Sequence, residues 1–202
     1  MTAHESPGDG PAGPDGGRGV PGARPAAIRL AVAALLAGLV TAALILAGRL
    51  HPPDYTASIF GRTGAAAISV KSWIATATLL LAAGQVLLAL WVYGKLPGGP
   101  APRRVALAHR VSGVVLIAIS LPVAVHCLVA YGVQLTSLRV AVHSLAGCFL
   151  YGAFAAKVLL VRSRRLPGWV LPVAGGTLAA VVAVLWYTAA LWYFHGYRLP
   201  AW

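Results

Sequence analysis

The chain is nearly empty of acidic side chains. Of its 202 residues only Glu5, Asp9, Asp15 and Asp54 carry a carboxylate, against 16 Lys and Arg. Three of these acids fall near the N-terminus and the fourth in a loop, so no apolar segment contains one. Transporters coupled to protons or sodium ions rely on an acid within the bilayer, and its absence argues against that class. A Ser-His-Asp hydrolase is disfavoured in the same way, because Asp54 is the one acid that could orient a histidine. Cysteine is scarce too. Cys127 and Cys148 both lie in apolar segments, at depths that differ by about 7–8 Å at a helical rise of about 1.5 Å per residue, which disfavours a disulfide. They read as small packing residues. Neither belongs to a Cys-x-x-Cys pair, and His126, His143 and Cys127 would give zinc only three of the four donors it takes.

What the sequence does have is long apolar stretches. It is 59% hydrophobic and 10% charged, where a soluble domain has about 25% charged residues. Five apolar segments come close to or exceed the roughly 20 residues that a spanning helix needs. The fold expected is therefore an all-α, integral membrane bundle of five transmembrane helices. The spans fall at about 28–48, 72–93, 105–131, 140–161 and 169–194, so that residues 27–202 form one transmembrane domain. Residues 1–26 are rich in Gly and Pro with almost no large apolar side chains. Such a stretch buries too little surface to offset its ordering entropy, and a disordered tail is expected there. RLHPPDYTASIFGRTGAAAISVK (49–71) reads as a loop lying against the membrane surface, because Pro52 and Pro53 block a helix. KLPGGPAPRR (95–104) and RSRRLPG (162–168) read as connections. Tryptophans and tyrosines such as Trp73, Trp91, Tyr93, Trp169, Trp186 and Trp192 read mostly as interfacial anchors.

The net charge of +12 does not indicate nucleic-acid binding, because the basic residues sit at the ends of apolar segments, where topology places them. With the N-terminus inside, the inner side holds Arg18, Arg24, Arg29, Lys95, Arg103, Arg104, Arg110, Lys157, Arg162, Arg164 and Arg165, eleven of the sixteen. The outer side holds Arg49, Arg62, Lys71, Arg139 and Arg198. This bias predicts an N-in, C-out, multi-pass protein of the plasma membrane.

That topology turns histidine positions into depths. His126 falls near the outer end of the third span, His143 near the outer start of the fourth, and His195 at the outer end of the fifth. His109 lies about 25 Å away at the inner end of the third span. Beside Arg110 it reads as an interfacial basic residue, while His51 reads as a loop residue and His4 as part of the tail. Histidine within a span is costly and usually faces the bundle interior or a cavity. A b-type haem suits three imidazoles at one depth, because its iron accepts imidazole nitrogens and bundles build such sites from facing helices. His126 and His143 are the first candidates for iron ligation. Adjacent helices lie about 8–10 Å apart, too close to sandwich a macrocycle, so His195 replaces His143 as the partner of His126 if the third and fifth spans face each other diagonally. Pro122 could open room by a kink. The structural alternative is that the histidines hydrogen-bond between helices, each bond contributing less than about 2 kcal/mol. Gln85 reads as another interhelical hydrogen bond, and Tyr151 and Lys157 as packing and snorkelling residues.

The stretches HPPDYTASIFGRTG, HRVSGVVLIAISLPVAVHCLVAYG and HSLAGCFLYGAFAAKVLLVRSRRLPGWVLPVAGG resemble an uncharacterised family of actinobacterial membrane proteins, over about residues 28–195. HRVSG followed by His126, and then HSLAG, is more distantly similar to helices of transmembrane b-type cytochromes and ferric-reductase-like proteins. That resemblance implies four helix-borne histidines holding two haems, one near each membrane face. Here only the outer site has enough candidates, because His109 lacks an inner partner on the second, fourth or fifth span. It also implies a redox partner, such as an iron–sulfur protein, at the outer face.

The function expected is thus a membrane electron-transfer component with one haem b near the outer leaflet, held by His126 with His143 or His195. The alternative is a non-catalytic membrane subunit or scaffold whose histidines make interhelical hydrogen bonds. A small-solute carrier is the third reading.

Overall fold

The computed structural model describes residues 23–97, 99–163 and 166–199, with five long helices. They are α1 (Ala23–Leu50), α2 (Gly64–Val92), α3 (Arg103–Ala130), α4 (Leu138–Arg162) and α5 (Val170–Phe194). Each is long and apolar enough to cross a membrane. Backbone groups in a hydrocarbon environment must be satisfied within the segment, which an unbroken helix achieves. Leucines and valines such as Leu35, Leu80 and Val114 point outward from the bundle, a surface suited to lipid. Among the described residues no strand forms; one isolated bridge pairs Ile59 with Arg62.

Helix boundaries extend beyond the apolar runs. The tail expected over 1–26 ends early, because α1 already begins at Ala23. Pro25 is tolerated there because a first-turn residue needs no intrahelical N–H partner. Residues 1–22 lie outside the described part. The loop expected over 49–71 is shorter than expected, since α2 starts at Gly64 and its first two turns, including buried Ala67, are helical. Helix α3 runs through Pro122 as one element. α5 is α-helical to Trp186 and widens into a π-helical turn at Tyr187–Leu191 before its last α-helical residues.

Helices α1, α3 and α5 finish at the same end of the bundle, called upper here. Packing does not follow chain order. α4 sits between α1 and α5, α5 also packs on α2, and α2 packs on α3. The short 131–137 connection does not bring α3 and α4 together along their lengths, which corrects the expectation that they are direct neighbours. Side-chain size explains the choice. A Cβ on Gly152 of α4 would run into the Thr41 hydroxyl and the Ala37 carbonyl of α1, so the missing side chain lets these two backbones approach closely. Ala33, Ala156, Leu160 and Val170 continue this α1–α4–α5 contact toward the lower end.

α3 joins α1 at the upper end. The Val133 amide donates to the Gly48 carbonyl at 2.9 Å, and Arg49 reaches the Val133 carbonyl at 3.3 Å. Gly132 takes φ +65°, and a Cβ there would lie 2.5 Å from the Gly48 carbonyl oxygen. Near mid-depth, Ala82, Leu116, Leu150 and Val182 from α2, α3, α4 and α5 meet in one buried layer. Above that layer a cavity opens between the helices.

Replacing Gly152 with Leu should force α1 off α4. The expected cost, about 1–3 kcal/mol for overpacking, would appear as a lower Tm of detergent-purified protein. Gly38→Ala, at a position with nothing within 4 Å of a new Cβ, should leave the Tm unchanged or slightly higher.

Candidate functional site

The space above the mid-depth layer is a cavity of about 660 Å³ lined by all five helices, within the range of about 300–1,000 Å³ usual for ligand pockets. Val40 and Leu44 of α1, Ala75 and Thr78 of α2, Leu121 and Val125 of α3, and Val182 and Leu185 of α5 form apolar walls. His143, Ser144 and Tyr151 contribute from α4, with Lys71 and Arg139 also lining the space.

His143 is held in a defined state. Thr188, 1% exposed, lies in the π-helical turn, and its hydroxyl donates to the Val184 carbonyl at 2.7 Å. Its one proton thus engaged, the hydroxyl accepts from His143 Nδ1 at 3.0 Å. In the tautomer that donates from Nδ1 to this hydroxyl, the neutral imidazole keeps a lone pair on Nε2. Nε2 has no protein hydrogen-bond partner among the described residues, and His143 lines the cavity. The same residue anchors Arg139, whose guanidinium donates to the Thr188 carbonyl at 2.9 Å and stacks over the Trp192 ring at 3.8 Å. A widened turn of this kind often marks a functional position in a helix. Trp186 donates from Nε1 to the Thr76 hydroxyl at 3.0 Å, tying α5 to α2 beside the cavity.

Lys71 and Arg139 are cations without an acid among the described residues. The ammonium of Lys71 lies 4.3 Å from the centre of the Tyr131 ring and 4.0 Å from Cys127 Sγ. Asp54, the one carboxylate among the described residues, is exposed and engaged by Thr56.

The three upper histidines share one end of the bundle but face different surroundings. His126, buried in the last turn of α3, donates from Nε2 to the Ala57 carbonyl at 3.2 Å. Its Nδ1 is buried without a partner. The ring thus braces the 51–63 loop, and His126 is absent from the cavity lining. His195 follows α5 in an exposed turn, also outside the lining. Only His143 of the three lines the cavity. In the lower half, Gln85 donates to the His109 carbonyl at 2.8 Å and to the Ser112 hydroxyl, the interhelical bond expected of it, while His109 Nδ1 is buried without a partner. Among the described residues no cluster of three or more His, Cys, Asp or Glu could hold a metal ion. Cys127 and Cys148 are free thiols on the cavity wall.

Sequence reasoning missed Thr188 and gave Lys71 and Arg139 only a topological role. Lys71 would have stood out had GAAAISVK been read as helix, since that places it two turns inside α2. Arg139 follows Ser137, whose hydroxyl accepts from the Val140 amide as an N-cap. No sequence pattern signals a π-helical turn at Thr188.

The 51–63 loop is held by three contacts: the His126 bond, the Asp54 amide donating to the Val129 carbonyl at 3.1 Å, and the Asp54 carboxylate accepting from the Thr56 hydroxyl at 2.6 Å and its amide at 3.0 Å. Those Thr56 hydrogen bonds hold the Asp54 carboxyl below its ordinary pKa of 3.8. A depressed pKa stabilises the ordered turn fully above the ordinary value and loses that effect as the pH falls through the depressed one. His126→Ala should raise hydrogen exchange across residues 55–62 several-fold, as expected from a net hydrogen-bond contribution of about 0.5–1.5 kcal/mol. Asp54→Ala should loosen the same segment, and so should acidification of the wild type below 3.8.

No curated protein and no solved structure matches the chain. A family model does, and it covers residues 30–201, which include all of the cavity lining. The chain therefore belongs to the family described as "Family of unknown function (DUF6529)".

Proposed function

We propose that this chain is a multi-pass protein of the plasma membrane that houses a single b-type haem in the upper cavity and serves electron transfer. One observation carries the reading: His143 lines the cavity with its Nδ1 3.0 Å from the buried Thr188 hydroxyl, which donates to Val184 and so can accept from Nδ1, the tautomer that leaves Nε2 unprotonated. Axial coordination of haem iron needs that nitrogen, and a hydrogen bond to the opposite nitrogen is the usual way a protein orients such a ligand. His143 would supply the axial bond and Thr188 would hold its ring. The apolar walls would exclude water. A bound haem would bring one-electron chemistry at a potential set by its axial ligand and burial.

His126 and His195 fit that role less well in their observed settings. One braces the 51–63 loop and the other sits in an exposed turn. The proposal therefore narrows the ligand set to His143. In the N-in orientation favoured by the Lys and Arg distribution, the cavity lies toward the outer face, where an iron–sulfur protein or similar carrier would dock. A second reading, a non-catalytic membrane subunit, draws on a different observation. Both His126 and His143 already make hydrogen bonds that hold the fold together.

Optical spectra of the oxidised and dithionite-reduced protein, purified from haem-replete cells, separate the two. The wild type should show a reduced-minus-oxidised haem difference spectrum. His143→Ala should lose nearly all of it, whereas His126→Ala should retain it. A folded, colourless wild type overturns the haem proposal and leaves the structural role.

A further inference from the structure

Two features of the cavity are unused by an axial imidazole: its pair of unpaired cations and its open side. Lys71 lies about two turns inside α2, where a charged side chain is costly unless it is paired or hydrated. Arg139 sits in the first turn of α4, whose helix dipole already presents positive charge. Each cation rests on an aromatic face, Tyr131 or Trp192, and neither has a carboxylate partner among the described residues. Both line the cavity together with His143. Three elements thus direct positive charge or donors at the top of an apolar space. Gln134 and Thr136, from the 131–137 connection, line the same region.

The open side faces the surroundings of the bundle. α1 and α3 meet at their upper ends, through Gly48, Leu128 and Val133, and do not pack along their lengths. Leu121 and Val125 both line the cavity and are about half exposed, at 49% and 53%. An apolar chain or ring in the bilayer could therefore pass between α1 and α3 beneath the Gly48–Val133 latch.

We infer that the cavity is a binding site for an amphiphilic carboxylate, its acidic end held by Lys71 and Arg139 and its apolar body extending down to the Leu116–Val182 layer, loaded sideways from the bilayer between α1 and α3. Charge complementarity selects the class. A neutral lipid leaves both cations uncompensated, and a hydrophilic anion leaves the apolar walls empty. The inference rests on the reading that this cavity holds a ligand, and does not require that the ligand contain iron.

Trp186 and Trp192 line the cavity, so bromine atoms on a bound molecule should quench their fluorescence. The test titrates the full-length protein in nanodiscs of neutral lipid with 9,10-dibromo-octadecanoic acid, and separately with the matching dibromo-alcohol. The acid should bind at least tenfold more tightly than the alcohol. Lys71→Gln and Lys71→Gln/Arg139→Gln should progressively erase that preference and leave alcohol binding unchanged. The single variant keeps the test usable if loss of the Arg139–Thr188 bond compromises folding. Equal affinity of the wild type for acid and alcohol, or saturable binding of neither, overturns the inference.

Reconstitution with haem and with its dimethyl ester separates this inference from the haem reading. A wild type that takes up both equally sustains the haem proposal and overturns the carboxylate site. A colourless protein that takes up neither, yet prefers the brominated acid, does the reverse.

Discussion

The architecture depends on which neighbours α4 accepts. Gly152 brings it against α1 at the Thr41 hydroxyl and the Ala37 carbonyl, and it also packs on α5. With those faces occupied, α3 finds its long contact on α2 instead, although only 131–137 separate it from α4 in sequence. In a bilayer no solvent-driven force would collapse the remaining gap, because hydrocarbon solvates leucine as well as leucine does. Helix association follows close packing and polar contacts. Where small residues do not permit a close approach, the space stays open. The cavity follows from that rule.

Polar groups inside such a bundle are expensive unless each has a partner. Thr188 resolves several of these demands at once. Its hydroxyl satisfies His143 Nδ1 while donating to Val184, and its carbonyl takes Arg139. A regular α-helix would commit that carbonyl to a residue in the next turn. The π-helical segment at Tyr187–Leu191 changes the local ladder where this outside donor arrives. Local irregularity, a fixed imidazole tautomer and a positioned guanidinium are thus one arrangement. Losing the hydroxyl would free the imidazole, whereas Arg139 would keep its backbone acceptor.

The five helices were legible because apolar runs with no acid leave few alternatives, and their number and approximate positions hold in the structure. Boundaries were less legible, since Gly64 to Lys71 carries turn-like residues before it and only context makes it helical. Depth was readable too: His126, His143 and His195 do occupy one end of the bundle. Direction was not. Whether a ring turns to a loop carbonyl, as His126 does toward Ala57, or to a buried hydroxyl, as His143 does, depends on neighbours distant in sequence. Helix order was likewise hidden, because a short loop fixes only where two helices begin and end, while small residues far along the chain decide what packs beside them.

The scarcity of acids has a consequence for the interior as well as for topology. In most proteins a buried cation is matched by a carboxylate of the same chain, and the pair is then structural. Here Lys71 and Arg139 are stabilised by aromatic faces, a backbone carbonyl and a thiol. Those contacts orient a cation without neutralising it. Cation–π attraction contributes about 0.5–2 kcal/mol, less than the cost of holding a charge at depth in hydrocarbon. The difference must be met by water at the rim or by an anion that arrives from outside the chain. Their presence at the top of an apolar space, beside His143, is the ground on which the cavity is proposed as a site.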